Sequence, residues 1–413
     1  MEEKIALIGK TLKHSYSKPI HQLLGDYTYD LCELEKEDLE NFVKGKKYKG
    51  FNITIPYKKD IMPFLDSIDG RAKQIGAVNT VVYKNGKSYG YNTDFNGVIY
   101  MLSRANIIVK DKVVLIMGSG GTSLTALAVF NYLGAKKILF LSRNGEINYQ
   151  NYMDKVGDVE VLFNATPVGM YPNNLDCLVD LDYFTSLKAV VDAIYNPSIT
   201  ALLFQARKKN LLYTNGLPML VAQAKYAMEL FFDKKIDDSV INPIIEKLER
   251  QSKNIVLIGM PGSGKSTIGK ILAKKLCREF VDSDALIEKN ENKSIPDIFA
   301  IYGEEYFRQK EKLALLECGK LSKMVIATGG GVVKDQTNYD ILKQNGVIVY
   351  IKRDIDKLSS KGRPLSKDKE SIKKLYQERK ENYSLFADIV IENNGDITSA
   401  VNKVIDIYEN FSD

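Results

Sequence analysis

The stretch "GMPGSGKS", from Gly259 to Ser266, has the residue types and spacing of a phosphate-binding loop, GxxxxGK[ST]. An apolar run, "NIVLIGM", leads into it, and a helix-like run, "TIGKILAKKL", follows it. In that context the backbone N–H groups that open the helix bind phosphate oxygens, Lys265 reaches the outer phosphates, and the Ser266 hydroxyl is a ligand of Mg²⁺. We therefore predict a nucleotide site with Mg²⁺. The loop also contains Gly262, Gly264 and Thr267.

Two aspartates follow this loop by about one helix length, in "FVDSDALIE". Asp282 and Asp284 alternate along what reads as the end of a strand, so we predict that their side chains point to different sides. One carboxylate can then hold the Mg²⁺ shell, and the other can orient or deprotonate an attacking hydroxyl. A solvated acidic turn is the alternative interpretation of these two residues taken alone.

A second glycine-rich turn, "IMGSGGTS", lies in the first half of the chain. It supplies Gly118, Gly120 and Gly121, but Ser123 stands where the pattern GxGxxG has its last glycine. The next strand-like run ends in "LSRN", which puts Arg143 where an acidic residue would bind the ribose 2′-hydroxyl of NAD. A cation there accommodates the 2′-phosphate of NADP. We predict a dinucleotide site that prefers NADP, with an arginine exposed at a strand end as the alternative.

Short apolar runs alternate with helical patterns through most of the 413 residues. The runs "KVVLIMGSGG" and "KKILFLSR" bracket a helix-like "TSLTALAVFNYLG", which is the pattern of a βαβ unit. This alternation predicts an α/β fold in which parallel sheets are covered by helices. The length predicts two or three domains. Only "QSK" separates the last helical run of the first half from "NIVLIGM".

Composition and charge narrow the class of protein. The chain is 45% apolar and 27% charged, as soluble globular proteins are, and no apolar run reaches the length of a membrane span. The beginning, "MEEKIALIGK", reads as a strand and not as a signal peptide, so we expect a cytoplasmic protein. The net charge of +6 is weak evidence for an anionic partner. We expect small-molecule substrates and neither a nucleic-acid nor a membrane partner.

Further motifs follow in the second half, namely "GEEYFRQKE", "IATGGGVV", "KGRPLS" and "QERKENYSLFAD". With the phosphate loop and the aspartate pair, this ordered set closely resembles shikimate kinase over residues 252 to 413. The resemblance implies that the nucleotide is ATP and that the catalytic residues are Asp284, Lys265 and Arg363, the last on a mobile lid over the phosphates. It also implies that shikimate is held by Asp284, Arg308, Gly330, Gly331 and Arg379, which leaves Asp282 for the Mg²⁺ shell. An arginine fork suits the shikimate carboxylate.

The first half contains another ordered set, "KHSYSKPIH", "GFNITIPYK", "GAVNT", "GYNTD", "NATPVGM" and "NGLPMLVAQA". Over residues 1 to 250 it resembles shikimate dehydrogenase. The resemblance implies that Lys58 and Asp94 form the catalytic pair, and that Tyr195 and the "NGLPM" turn with Gly216 help to wall the site beside the cofactor. The substrate carboxylate and hydroxyls would be bound by Ser15, Ser17, Thr54, Asn79 and Gln223.

The residue types of the catalytic pair suit the reduction of a ketone. Hydride transfer to a ring ketone leaves an alkoxide, so a proton donor must lie at the carbonyl oxygen. Lys58 can donate this proton, and Asp94 within hydrogen-bonding reach would orient it. In isolation Lys58 would be read as a surface lysine. The only histidines, His14 and His21, are expected to be packing or capping residues, because Lys58 fills the acid role.

Both halves depart from the pattern that they resemble. In the first half, "SKPIH" has lysine ahead of proline, and Ser142 replaces the asparagine that usually precedes Arg143. Only about twenty residues separate Arg143 from Asn164, so we expect that a helix and part of a strand are missing. In the second half, "RPLS" replaces RPLL, and the segment before Arg363 is short and lacks an additional arginine.

The sequence thus predicts a bifunctional enzyme of aromatic precursor synthesis, which uses NADPH, ATP and Mg²⁺. Its expected parts are a substrate domain over 1–102 completed by 223–250, a Rossmann-like NADP domain over 103–222, and a P-loop kinase domain over 252–413. Two alternatives stay open. The dehydrogenase half is a binding or regulatory module beside an active kinase, or it oxidises quinate with NAD. A scaffold role is disfavoured, because it needs neither the phosphate-loop lysine nor the pair Lys58 and Asp94.

Overall fold

The computed structural model describes residues 4–12, 15–358 and 369–410. His14 and Arg363 lie outside the described residues, so the roles predicted for them stay predictions. The chain forms two compact units, Met1–Lys247 and Leu248–Asp413. The boundary falls within a helix, Ile241–Ser252. The finer division of the first unit near residues 102 and 223 stays a prediction.

The strands form three sheets. The first contains β1 (Lys4–Gly9), β2 (Thr28–Glu33), β3 (Gly50–Ile53), β4 (Ser67–Ile68), β5 (Thr80–Lys84) and β6 (Lys87–Tyr91). The second contains β7 (Val113–Met117), β8 (Lys137–Leu141), β9 (Val161–Asn164), β10 (Ala189–Asp192) and β11 (Leu212–Thr214). The third contains β12 (Asn254–Ile258), β13 (Glu279–Asp282), β14 (Met324–Ala327), β15 (Gly346–Lys352) and β16 (Ile389–Glu392).

The α-helices follow the strands in alternation. Those of the first unit are α1 (Ser17–Leu24), α2 (Leu39–Gly45), α3 (Gly70–Ile75), α4 (Asp94–Arg104), α5 (Gly121–Tyr132), α6 (Ala201–Lys208) and α7 (Leu217–Phe232), before α8 (Ile241–Ser252). Those of the second unit are α9 (Lys265–Lys275), α10 (Ser283–Glu291), α11 (Ile295–Gly319), α12 (Gln336–Lys343), α13 (Lys369–Phe386) and α14 (Ile397–Glu409). In the described part of the chain, none of these helices has the length and hydropathy needed to cross a membrane.

The first sheet is mixed, in the order β2-β1-β3-β5-β6-β4. The strands β2, β1 and β3 are parallel, but β5 pairs antiparallel with both β3 and β6. The reversal between β5 and β6 is made by Asn85 and Gly86, which have φ values of 52° and 73°. Asn-Gly is the preferred pair for a two-residue hairpin turn with positive φ. The prediction of parallel sheets was therefore wrong for this one sheet, because the alternation of apolar and helical runs does not take the Asn-Gly turn into account.

The second sheet, of order β11-β10-β9-β7-β8, and the third, of order β13-β14-β12-β15-β16, are wholly parallel. In the second sheet β7 lies between β8 and β9, and in the third β12 lies between β14 and β15. The chain therefore continues to one side of β7 or β12 first and to the other side later. A ligand crevice forms at such a switch point, beyond the carboxyl ends of the strands. The glycine loops after β7 and β12 lie at these two points. The predicted α/β class, with a Rossmann-like unit and a P-loop unit, is confirmed.

Both parallel sheets are covered on two faces, which explains their uninterrupted apolar runs. In β7, Val114 and Ile116 pack into one core cluster, and Leu115 and Met117 pack into another on the opposite face. In β12, the same alternation divides Val256 and Ile258 from Ile255 and Leu257. All eight side chains are at most 1% exposed. The two glycine loops are therefore anchored on rigid strands.

The short span between β8 and β9 folds without an α-helix. Its helical element is a 3₁₀ turn, Tyr152–Asp154, and Tyr152, Val156 and Val159 pack into the core cluster on that face of the sheet. The expected loss of a helix is confirmed. Strand β9 still pairs with both β7 and β10 over its four residues. The cofactor sheet is therefore continuous despite the missing helix.

Candidate active sites

The first glycine loop joins β7 to α5 in the first unit. Gly118 has a φ of 104°, which favours glycine, and its N–H donates to the carbonyl of Leu141 at 2.9 Å. A Cβ added to Gly120 would have no atom within 4 Å, so the space above the start of α5 is open. An open helix N-terminus with free N–H groups fits a dinucleotide pyrophosphate.

The third glycine of the pattern is replaced by a buried serine. Ser123 is 1% exposed, and its Oγ has no hydrogen-bond partner among the described residues. In the pattern this glycine allows close packing of helix on strand. The serine is therefore buried at the position where the pattern has its last glycine.

Arg143 lies just beyond β8. Like the first glycine loop, it follows the carboxyl end of a strand of the second sheet. It is exposed, in a turn whose Gly145 N–H donates to the Ser142 carbonyl at 3.3 Å. The Gly118 N–H bonds to Leu141, the last residue of β8, which places the loop and the turn side by side. This position is compatible with the predicted contact to a ribose 2′-phosphate.

The predicted catalytic pair is formed by residues from different elements. Lys58 follows β3, and its Nζ donates to Oδ2 of Asp94 at 2.6 Å. Asp94 opens α4, where the N-terminal end of the helix dipole stabilises a carboxylate. The Lys58 side chain is 20% exposed and that of Asp94 is 7% exposed. The lysine is thus held by a mostly buried carboxylate, while its side chain stays partly exposed.

The pair lies next to the first glycine loop. A Cβ added to Gly121, the first residue of α5, would contact the Cδ of Lys58 at 4.0 Å. The backbone of Lys58 is fixed as well, because its carbonyl accepts from the N–H of Val78 at 2.8 Å. A dinucleotide bound on the start of α5 would therefore have a proton donor close by.

Asn79 and Gln223 belong to one buried polar network. Asn79 Nδ2 donates to Thr93 Oγ1 at 3.0 Å and lies 3.5 Å from Gln223 Oε1. The N–H of Thr93, which immediately precedes Asp94, donates to Asn79 Oδ1 at 2.8 Å. Gln223 is on α7, and its Nε2 donates to the Leu220 carbonyl at 2.9 Å. The network couples two predicted substrate ligands to the start of α4.

The serine segment carries the other predicted substrate ligands. The Ser17 N–H donates to Ser15 Oγ at 3.2 Å, and between them Tyr16 packs edge-to-face on Tyr195 with ring centroids 5.2 Å apart. Burial raises the pKa of Tyr195 to about 12, so its hydroxyl stays a proton donor. Thr54 directly follows β3, and its N–H donates to the Ile8 carbonyl at 3.0 Å.

His21 has the packing role that was predicted for it. The ring stacks on Tyr29 with centroids 4.0 Å apart, and Nδ1 lies 2.5 Å from the Tyr27 hydroxyl. Burial lowers the pKa of His21 to about 3, so the imidazole is neutral. The ring is 1% exposed and supplies no accessible acid.

Gly216 has a packing reason for being glycine. Its N–H donates to the Ile194 carbonyl at 2.9 Å, and a Cβ added there would overlap the carbonyl of Ala193. This close approach lies between the loop after β10 and the start of α7. The predicted cofactor role of Gly216 stays a prediction.

Gly216→Ala is expected to destabilise the first unit by about 2 kcal/mol or more, because the added Cβ must displace the Ala193 backbone. Calorimetric unfolding of the full chain measures this. Gly70→Ala is the matched control, since a Cβ at Gly70 has no atom within 4 Å. An unchanged unfolding temperature for Gly216→Ala, with weaker dinucleotide binding, would mean that the residue serves the cofactor alone.

The second unit contains a cavity of about 490 Å³ at the second glycine loop. It brings together every predicted kinase residue that the structure describes. The predicted residues in its wall are Gly262, Gly264, Lys265, Ser266, Thr267, Asp282, Asp284, Arg308, Gly330, Gly331 and Arg379. They come from separate elements between β12 and α13, so their convergence is a property of the fold and not of local sequence.

The phosphate loop is closed on itself by its own lysine. Lys265 is 8% exposed, and its Nζ donates to the carbonyls of Gly259 and Met260 at 2.9 and 3.0 Å. Ser266 Oγ donates to Asp282 Oδ2 at 2.6 Å. A hydroxyl and a carboxylate oxygen in one cavity are the hard ligands that Mg²⁺ prefers, so the donor set fits this ion.

Asp284 lies on a helix and not on a strand. Asp282 is the last residue of β13 and the N-cap of α10, and its Oδ1 accepts from the N–H of Asp284 at 3.0 Å. The predicted strand alternation of the two aspartates was therefore wrong. The separation of their side chains arises instead because the chain turns from strand to helix between them, with the N-cap carboxylate satisfying the first helical N–H groups.

The carboxylate of Asp284 is poised as a proton acceptor. Its Oδ1 is buried and has no hydrogen-bond partner among the described residues. Burial first, and then the neighbouring carboxylates of Asp282 and Glu311, raise the pKa of Asp284 to about 7, while Lys265 and Arg308 oppose the shift. A displaced pKa in a cavity is typical of a catalytic acid or base.

The two predicted carboxylate-binding arginines come from different helices. Arg308 on α11 pairs with Glu311 at 2.6 Å, and a Cβ added to Gly331 would overlap its guanidinium. Arg379 on α13 is 3% exposed and donates from Nη1 to the Gly330 carbonyl at 2.9 Å. Its Nε and Nη2 have no partner among the described residues. Two such unpaired donors on one guanidinium edge fit a carboxylate.

Some cavity residues were not predicted. Glu311 is 1% exposed, and its Oε1 has no partner within the described part of the chain. Glu311 follows Arg308 by three residues, which puts both side chains on one face of a helix. This spacing could have predicted their contact from the sequence. Phe299 and Phe307 add an aromatic wall, and Arg353 adds a further cation. Nothing in the local sequence distinguishes Arg353 from a surface residue.

Comparison with known proteins bears on the first unit. The chain is 36% identical over 273 residues to shikimate dehydrogenase (NADP(+)) of Clostridium beijerinckii, which covers 61% of this chain and 100% of that protein. The chain belongs to the shikimate dehydrogenase family. Residues 7–81 also match the model of the shikimate dehydrogenase substrate binding domain.

Solved structures of the shikimate dehydrogenase family resemble this chain over the same region. One is a chorismate mutase/shikimate 5-dehydrogenase fusion protein from Clostridium acetobutylicum, with 36% identity and a TM-score of 0.57 over 60% of this chain and 97% of that chain. Another is shikimate 5-dehydrogenase from Thermus thermophilus in complex with NADP(H) and shikimate, with 26% identity and a TM-score of 0.55 over 59% of this chain and 99% of that chain.

The second unit matches a different family. Residues 261–409 fit the shikimate kinase model, so a shikimate kinase domain follows the shikimate dehydrogenase part on the same chain. The protein is a bifunctional enzyme of the shikimate pathway. The predicted combination of a dehydrogenase and a kinase is confirmed.

Proposed function

We propose that the chain catalyses two consecutive reactions. The first unit reduces 3-dehydroshikimate to shikimate with NADPH, and the second phosphorylates shikimate to shikimate 3-phosphate with ATP. One observation carries the proposal, namely that each glycine loop opens beside its own proton-transfer group. Lys58 lies at the start of α5, and Asp284 lines the cavity with Lys265. The hydroxyl formed in the first reaction is the nucleophile of the second.

The dehydrogenase reaction needs a proton at the ketone oxygen. Lys58 donates it, and the 2.6 Å bond to Asp94 orients the ammonium group and retains it near the substrate. NADPH, when bound on the loop from Gly118 to Gly121, supplies the hydride. The reverse direction uses the same groups, with Lys58 accepting the hydroxyl proton.

Polar side chains of the first unit orient the substrate. Ser15 and Ser17 offer hydroxyls in one segment, while Asn79 and Gln223 offer amides fixed by a shared network. Fixed donors and acceptors bind a polyhydroxylated ring without losing rotamer entropy on binding. The wall formed by Tyr16 and Tyr195 lies beside the serines.

The kinase reaction needs a base and an anion clamp. Asp284 accepts the proton of the attacking hydroxyl, and Arg308 and Arg379 bind the shikimate carboxylate with their guanidinium forks. Ser266 and Asp282 hold Mg²⁺, which neutralises phosphate charge when it is bound. Arg363 contributes from the lid as the resemblance implies, and this role lies outside the described residues.

The proposal is tested by following each reaction alone in the purified full chain. Shikimate with NADP⁺ and no ATP is expected to give absorbance at the nicotinamide band. Shikimate with Mg²⁺ and ATP is expected to give ADP without dinucleotide. Quinate with NAD⁺ is the third assay, and turnover there with none on shikimate would assign the first unit to quinate oxidation instead.

Arg143→Ala is expected to reduce the preference for NADP⁺ over NAD⁺ by about tenfold or more, because a charge-assisted bond to the 2′-phosphate is lost. The ratio of kcat/KM values for the two dinucleotides measures this. Arg207→Ala removes another exposed arginine of the same unit and is the control. An unchanged ratio in Arg143→Ala would support the alternative that this arginine is only an exposed residue at a strand end.

A further inference from the structure

Arg353 is a cation of the kinase cavity to which no motif assigns a role. It directly follows β15 and lines the same cavity as the phosphate-loop residues Gly262, Gly264 and Lys265. Its Nε is buried and has no hydrogen-bond partner within the described residues. A buried donor without a partner costs free energy, so an acceptor supplied by a ligand would complete the site.

The strand order places Arg353 on the side of the phosphate loop away from the acceptor residues Gly330 and Gly331. In the third sheet, β12 lies between β14 and β15. A Cβ added to Gly259 at the start of the loop would lie 2.5 Å from the carbonyl of Ile351, two residues before Arg353. Gly330 and Gly331 follow β14, on the opposite side of β12.

The side chains of the two residues next to Arg353 in the chain interact with residues outside the cavity. Lys352 pairs with Glu392 at 3.4 Å, and Asp354 accepts from Asn394 Nδ2 at 2.9 Å. Neither Lys352 nor Asp354 lines the cavity. The pattern fits the alternation of side chains at a strand end, which leaves Arg353 as the one member of the three that faces the ligand space.

The other cavity arginines are bound to the acceptor side. Arg308 pairs with Glu311 at 2.6 Å, and Arg379 donates to the Gly330 carbonyl at 2.9 Å. Arg353 makes no such ion pair within the described part of the chain. Its guanidinium is therefore available to an anionic ligand that lies over the phosphate loop.

We propose that Arg353 binds the phosphate chain of the nucleoside triphosphate. The inference rests on the proposed kinase function and deepens it. A guanidinium presents two parallel N–H groups to a pair of phosphate oxygens. Because Arg353 directly follows a sheet strand, its backbone is anchored by the sheet. The arginine supplements Lys265 from the β15 side of the loop.

The test is calorimetric binding to the full-length protein, with Arg353→Ala and Arg353→Lys as variants. The probes are Mg-ATP, Mg-ADP, adenosine and shikimate. Arg353→Ala is expected to weaken ATP and ADP binding by about tenfold or more, through loss of charge-assisted hydrogen bonds, while adenosine and shikimate bind as before. Arg353→Lys is expected to recover part of the loss. Lys357→Ala, an exposed lysine outside the cavity wall, is the control.

Each other outcome overturns the assignment. Unchanged ATP and ADP binding in Arg353→Ala would mean that the arginine makes no phosphate contact. An equal loss for adenosine would mean that it supports the loop or the base instead, and a loss for shikimate alone would move it to the acceptor side. Failure of the unmodified protein to bind Mg-ATP or to phosphorylate shikimate would contradict the proposed function itself. This outcome differs from a failure of the Arg353 assignment, because it is seen in the protein without any substitution.

Discussion

Lys58→Ala is expected to lower kcat for NADP-dependent oxidation of shikimate by roughly 10²- to 10⁴-fold, the range that a positioned proton donor contributes. The substitution removes the only side chain that the structure places both on Asp94 and beside Gly121, within the described residues. The KM for shikimate is expected to change less, because the serine and amide ligands remain. The kinase activity of the same preparation is expected to be unchanged, which shows that the second unit is intact.

The neighbouring Lys59 provides the matched control. It is exposed and follows Lys58 directly, so Lys59→Ala removes the same charge from the same loop without touching Asp94. A pH profile of kcat adds a second readout, since loss of the proton donor also removes the limb that it governs. Near-normal turnover in Lys58→Ala would contradict the assignment and would require another acid at the ketone.

Asp284→Asn is expected to lower kcat of the kinase by roughly 10²- to 10⁴-fold, because the amide cannot accept the hydroxyl proton. Shikimate binding is expected to persist through Arg308 and Arg379. The near-identical shape of asparagine keeps the cavity filled. Dehydrogenase activity in the same protein is expected to be normal.

The same substitution is expected to stabilise the second unit at neutral and alkaline pH. The pKa of Asp284 is raised to about 7 in the folded state, so the unfolded chain binds its proton less tightly than the folded one. Above the folded pKa the buried charge therefore costs stability, and below the unfolded pKa that cost vanishes. Removal of the charge should raise the thermal unfolding temperature at pH 8 more than at pH 5.

Glu305→Gln is the control for Asp284→Asn. Glu305 is an exposed acid of α11 that does not line the cavity. It should change neither kcat nor the unfolding temperature appreciably. A drop in kinase activity that comes with a lower unfolding temperature in Asp284→Asn would indicate a structural role instead of a catalytic one.

The spacing of residues within short segments was enough to predict the two glycine loops. The run from Gly259 to Ser266 predicts its own strand, turn and helix, because glycines, a lysine and a hydroxyl in that order have few other uses. In the structure this run begins directly after β12 and ends in the first turn of α9. The first glycine loop was equally readable although Ser123 breaks its pattern, since the strand before it and the helix after it carry the signal.

Other features depend on pairing between distant residues and could not be read locally. Asp284 was placed on a strand because a two-residue spacing suits both a strand and the step from an N-cap into a helix. Arg353 was overlooked because its significance arises from the position of β15 beside β12, which sequence order does not give. Glu311 was within reach, since its spacing from Arg308 is that of one helix face.

The most direct test of two linked activities on one chain is a single reaction followed by ³¹P NMR. The purified protein receives 3-dehydroshikimate, NADPH, ATP and Mg²⁺, and the signal of shikimate 3-phosphate is measured. The account predicts that this signal appears with all four present and is absent when either ATP or NADPH is omitted, and that the nicotinamide absorbance still falls when ATP alone is omitted. If added shikimate is phosphorylated but 3-dehydroshikimate gives neither the phosphate signal nor a fall in nicotinamide absorbance, the first unit lacks the proposed reaction and the account is contradicted.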